Sequence, residues 1–232
     1  MTIAERDEII GKTLKHEGGF GIDTYNGWVY MGVNSKSNPT WSGWDIIEPL
    51  VNRKRFEVFD TRSAGVYDRI WDNPLLTQQV MDLAASKYWS GNSFESYNDR
   101  RVVSNLFDQN YTDGMITVIK CAFGTEYKLL AANKANIMGE EALPVLIECR
   151  MKYYSSLKYN QTDQTKIDQI RQRQIKRVYD LNLDSSITGP GYSYVNFADS
   201  LGKLYNSIVN RFMNDVMSNI YLENLNRGIR TY

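Results

Sequence analysis

Glu17 lies in the stretch "KTLKHEGGFGIDTYNG", residues 12–27, three residues after Leu14 and seven after Ile10. On a helix these steps return to one face, so Glu17 belongs to the stripe that packs inward. A carboxyl on such a face loses hydration, and lost hydration disfavours its charged form. A carboxylic acid that keeps its proton near neutral pH can pass it to the leaving oxygen of a glycosidic bond. Gly18 and Gly19 stop the helix just beyond and open space beside the side chain for a ligand. The competing assignment is a helix-terminal glutamate paired with a lysine or arginine. Asp23 follows six residues after Glu17. Glycoside hydrolysis uses two carboxyls, about 5–5.5 Å apart for retention and about 6.5–9.5 Å apart for inversion. Asp23 is the candidate partner that activates water, and as a loop aspartate it can equally cap its own turn. Asp45 and Glu48 are weaker candidates, being first-turn residues of a predicted helix.

All five tryptophans, Trp28, Trp41, Trp44, Trp71 and Trp89, fall within the first 89 residues, and Tyr25 and Tyr30 join them. Aromatic faces stack on the apolar faces of sugar rings and line ligand clefts. Trp71 and Trp89 sit at helical spacings and read as core. Tyr25, Trp28, Tyr30, Trp41 and Trp44 lie in or beside loops and are the candidate substrate-binding set.

Other chemistries are poorly supplied. His16 is the single histidine, too few for a His-based zinc site, and neither a CxxC pair nor a G-x-S-x-G elbow is present. No metal or cofactor is therefore expected. Cys121 and Cys149 sit in apolar, helical stretches ("VIKCAF", "VLIECRM") and read as buried free thiols rather than a disulfide. With 27 basic and 27 acidic residues the net charge is zero, which argues against a nucleic-acid partner held by bulk charge. No stretch approaches the roughly 20 apolar residues of a membrane span.

The elements that must position these residues follow from pattern. With 232 residues, 42% apolar and 23% charged, the chain can bury a sizeable core. Thr2 and Glu5 form a T-x-x-E capping box, so a helix should begin at Ile3. A short hairpin is expected around "GWVYMGVN", near residues 25–35, followed by a loop. Further helices are expected near 45–53, 62–71, 74–89, 100–110, 112–122, 140–158 and 163–181, with Pro74 in a first turn. "NLDSSITGPGYSY" at 182–194 reads as a linker. Beyond it, Phe197, Leu201, Leu204, Ile208, Phe212 and Val216 mark an amphipathic helix over 196–222. Such a helix can dock on a protein partner or fold back on its own domain. The opening "MTIAERDEIIGK" is amphipathic and acidic, unlike a secretory signal.

Several of these stretches together resemble one family. "LKHEGGF" is similar to the "HEGGY" signature of family-108 glycoside hydrolases, the N-acetylmuramidases of phages and bacteria. "NGWVYMGVNSKSNPTWSGWDIIE", "YWSG", "NLFDQNYTDG" and "ALPVLIECRMKYYSSL…QIKRV" resemble further family segments in the same order, over roughly residues 8–180. Val29 stands where the family has threonine, and Gln174 where it has a terminal tryptophan. The resemblance implies a mainly helical, lysozyme-like fold over 1–182. Its catalytic part would span about 1–95 and a helical peptidoglycan-binding-like part about 96–182, leaving 183–232 as linker and C-terminal helix. It implies cleavage between N-acetylmuramic acid and N-acetylglucosamine, with Glu17 and Asp23 as the catalytic pair and bacterial peptidoglycan as partner. It also implies synthesis in a host cytoplasm and action on the cell wall, after release by a pore or delivery in a virion. Two alternatives accompany it: a lysozyme-like structural or cargo protein of a phage particle, and a lytic transglycosylase, which needs only one acid.

Overall fold

Thr2 starts the first helix, α1 (Ile3–Lys15), through the expected reciprocal cap: its hydroxyl accepts from the Glu5 amide at 3.2 Å, and the Glu5 carboxylate accepts from the Thr2 amide at 2.7 Å. Ile9, Ile10, Thr13 and Leu14 are the buried stripe. The helix ends at Lys15, two residues before Glu17. The Glu17 amide still donates to the Leu14 carbonyl at 3.1 Å, and Gly18 turns the chain with φ of 75°.

The computed structural model describes residues 1–23, 26–55, 57–62, 65–71, 73–157 and 164–183. It is mainly helical with one small antiparallel sheet. Strands β1 (Phe20–Asp23), β2 (Gly27–Tyr30) and β3 (Val33–Asn34) are ordered β1-β2-β3, with Phe20 opposite Tyr30 and Tyr30 opposite Val33. The sheet extends the expected hairpin by one strand, β1, on its N-terminal side. Helices α2 (Gly43–Val51), α3 (Val66–Trp71) and α4 (Pro74–Leu83) follow. Asn73 caps α4 by accepting from the Leu75 and Leu76 amides, and Pro74 takes the first helical position. The stretch expected as one helix over 74–89 changes winding midway: Ala84–Trp89 is π-helical, and the Ser90 amide reaches back five residues to the Ala85 carbonyl. Further α-helices among the described residues are α5 (Arg100–Thr112), α6 (Ile116–Phe123), α7 (Lys128–Met138), α8 (Ala142–Ser156) and α9 (Gln164–Leu183).

These elements form two compact units. The first comprises Met1–Ile116 and Tyr127–Asn136, and the second, among the described residues, comprises Thr117–Glu126 and the chain from Ile137 to Leu183. The first unit runs past the break expected near residue 95 because α5 packs against α1. Its core gathers Ile10, Leu14, Phe20, Ile47, Val80, Phe94 and Phe107. In the second unit α8 packs against α9, and Leu146, Met151, Tyr154, Ile175 and Val178 are buried.

The cysteines are not free: Cys121 and Cys149 form a disulfide within the second unit, with Cα atoms 5.9 Å apart. They are 28 residues apart in the chain, and the fold alone brings them within bonding distance. Helix α7 was not anticipated, because Leu129, Leu130 and Ile137 are exposed while alanines face inward, which blurs the apolar period. The helix expected over 196–222 and its linker from residue 184 lie outside the described residues. Among the described residues no helix is long and apolar enough to cross a membrane.

Candidate functional site

Glu17 is half-buried, and its Oε1 atom is buried from solvent. The β2–β3 connection brings the backbone onto it. Tyr30 and Val33 pair across a two-residue turn whose central residues, Met31 and Gly32, have φ of 45° and 80°. Positive φ at both positions is what a type I′ turn requires. The missing side chain of Gly32 is what admits the glutamate. A Cβ there would stand 2.9 Å from Glu17 Oε2 and 2.7 Å from Tyr111 Cε1. Tyr111, from α5, fixes the turn from the other side, its hydroxyl donating to the Met31 carbonyl at 2.7 Å. The Glu17 carboxyl thus lies close against the turn backbone on the side that also carries the Tyr111 ring.

Tyr88 packs beside Tyr111, with ring centroids 4.8 Å apart, and is carried by the π-helical stretch after α4. Burial holds its phenol above the ordinary tyrosine pKa. A hydrogen bond with the Asn38 side chain pulls the other way, and the negative charge of Glu17 adds to the rise. Asn38 is a hub. Its backbone carbonyl accepts from Trp44 Nε1 at 2.7 Å, its Nδ2 donates to the Asn34 carbonyl, and its Oδ1 accepts from Lys87 Nζ at 2.6 Å.

Beyond Asn38 lies a groove of about 550 Å³ with both polar and apolar walls. The loop side contributes Asn38, Trp41 and Ser42. The helix side contributes Gln79, Asp82, Ser86 and Lys87, one stripe of α4 and its π-helical extension. Glu17 does not line this groove; Tyr88 is bonded to Asn38 and close enough to Glu17 to feel its charge. Arg55 secures the loop, donating to the Pro39 carbonyl, Asp45 and Glu48. The two acids weighed as second carboxyls are thereby engaged as a brace.

The candidate aromatic residues separate. Trp28, Tyr30 and Trp44 are fully buried. Their polar tips are spent internally: Trp28 Nε1 on the Glu57 carbonyl, Tyr30 hydroxyl on the Ile70 carbonyl, Trp44 Nε1 on Asn38. They are core residues and not cleft walls. The alternation along "GWVY" carries that signal, since Trp28 and Tyr30 share one face of β2. Trp41 is the exception. It is 7% exposed, lines the groove, and rests edge-on against Trp44 with centroids 4.8 Å apart. Gly43 makes room for it, since a Cβ there would fall 2.2 Å from Trp41 Cη2. Tyr25 lies outside the described residues. Asp23 is exposed at the end of β1, and its Oδ1 accepts from the Asn26 amide at 2.8 Å, as a turn-capping aspartate does. Val29 is half-buried on the opposite side of β2 from Trp28 and Tyr30. Gly32, Asn38, Lys87, Tyr88 and Tyr111 were not anticipated. Only "YMGV", with its turn glycine between β-forming residues, marked the first of them in the sequence. No group of His, Cys, Asp and Glu suited to a metal ion occurs among the described residues.

No family model, curated protein or solved structure matches the chain.

Proposed function

We propose that the first unit is a lysozyme-like domain that cleaves the glycosidic bond between N-acetylmuramic acid and N-acetylglucosamine in peptidoglycan, with Glu17 as the acid. The observation that carries this reading is the setting of the Glu17 carboxyl. It sits between the end of α1 and the Gly18 turn, half-buried, against the Gly32 backbone and near Tyr111. Such a setting excludes water from one side of the carboxyl, as an acid that must hold its proton requires. The groove beyond Asn38 is of the size and chemistry that a segment of glycan requires. The Cys121–Cys149 disulfide supports action outside a reducing cytoplasm, where such bonds persist.

Replacing Glu17 by Gln keeps the shape and removes the proton. The expected result is an unchanged fold by circular dichroism and a loss of at least about 100-fold in turbidity clearance of purified cell wall. Full activity in this variant would sink the assignment. The engagement of Asp23 in its own turn favours a one-acid route, lytic transglycosylation, as the second reading. Mass spectrometry of the products separates the two: anhydro-muramyl ends mark transglycosylation, reducing muramic ends hydrolysis. An inert wild type on every wall preparation would favour a structural role in a phage particle.

A further inference from the structure

Lys87 holds an ammonium group at the end of the groove nearest Tyr88. Asn38 Oδ1 accepts from its Nζ at 2.6 Å, and the Nζ lies 5.5 Å from the centroid of the Tyr88 ring. A lysine has three N–H donors, so this anchorage leaves donors for a ligand. The anion in the same groove, Asp82, accepts a hydrogen from Gln78 Nε2 at 2.9 Å, one turn back along α4. Ser42, Gln79 and Ser86 line the same groove: Ser42 donates to Gln79 Oε1 and Ser86 to the Asp82 carbonyl, which leaves Gln79 Nε2 as a donor and the two hydroxyl oxygens as acceptors. Hydroxyl oxygens and an amide match sugar hydroxyl and acetamido groups, while an ammonium tethered by Asn38 matches a carboxylate.

We propose that this groove binds the carboxylate-bearing segment of the glycan strand beside the cleaved bond, with Lys87 as the residue that selects it over uncharged strands. The proposal rests on the glycan-cleaving reading above and adds the substrate feature that is read. A chitin oligosaccharide presents the same ring type without a carboxylate. In peptidoglycan the carboxylate has two sources, the lactyl group of the muramic sugar and the stem peptide.

The test measures calorimetric binding and cleavage in parallel. Three ligands are used: glycan strands stripped of stem peptides, strands carrying them, and chitin oligosaccharides. Wild type is compared with Lys87→Met and Lys87→Arg, each checked by thermal melting. Wild type should bind at least one carboxylate-bearing strand roughly tenfold more tightly than chitin. Salt should erode that preference. Lys87→Met should abolish it, and Lys87→Arg should retain most of it. The tighter of the two carboxylate-bearing strands identifies the source of the carboxylate. Equal or absent binding of all three ligands by wild type, or a preference that survives in Lys87→Met, overturns the proposal. A Lys87-dependent preference without cleavage upholds the proposal and removes the enzymatic reading. Cleavage without such a preference does the reverse.

Discussion

At the scale of single residues, the site depends on an atom that is absent. Gly32 has φ of 80° and faces Glu17 Oε2 and Tyr111 Cε1 at distances no side chain tolerates. Gly32→Ala must therefore strain the turn and displace the carboxyl together. Denaturant unfolding should show a loss of roughly 1–3 kcal/mol, and cell-wall cleavage should fall at least about tenfold. A variant of unchanged stability would show that the turn yields freely and that Glu17 is held loosely against it. Three- and seven-residue steps from Leu14 and Ile10 pointed to the inward side of Glu17, although the helix stops at Lys15 and a last tight turn, Glu17 amide to Leu14 carbonyl, carries the residue beyond it. Its surroundings were not legible, because Tyr88 and Tyr111 come from helices more than 70 residues downstream. Residue type alone also misled for Trp28, Tyr30 and Trp44. Composition identifies an aromatic, but the alternation of the strand and the packing beneath it decide which side the ring takes.

At the scale of elements, the parts with local causes were readable. The capping box of α1, Pro74 opening α4 and the turn at "YMGV" each act through residues within a few positions. The change to π-helix at Ala84 has no such local marker, although it carries Lys87 and Tyr88 to the site. The seating of α2 offers a direct check. Gly43 opens that helix directly beneath the Trp41 ring, so Gly43→Ala should expel the indole from its bed against Trp44. A cost of roughly 1–3 kcal/mol is expected, with a red shift in tryptophan emission and weaker glycan binding. Unaltered emission would mean that the ring is not held where the groove needs it.

At the scale of the whole molecule, the disulfide is the feature that the sequence concealed. Two cysteines in apolar stretches carry no geometry until α6 and α8 are placed. Closing a loop of 28 residues should contribute roughly 3–4 kcal/mol by restricting the unfolded chain. Cys149→Ser, or wild type in reductant, should show that loss in urea unfolding of the second unit. Equal stability with and without reductant would show that the crosslink contributes nothing to the fold. The bond also has a topological consequence. Between its two sulfurs the chain leaves the second unit, lends Tyr127–Asn136 to the first, and returns. That excursion is a covalent ring. A protease that nicks it once leaves no severed fragment: both halves stay tethered by sulfur, and the borrowed segment keeps a road home from either end.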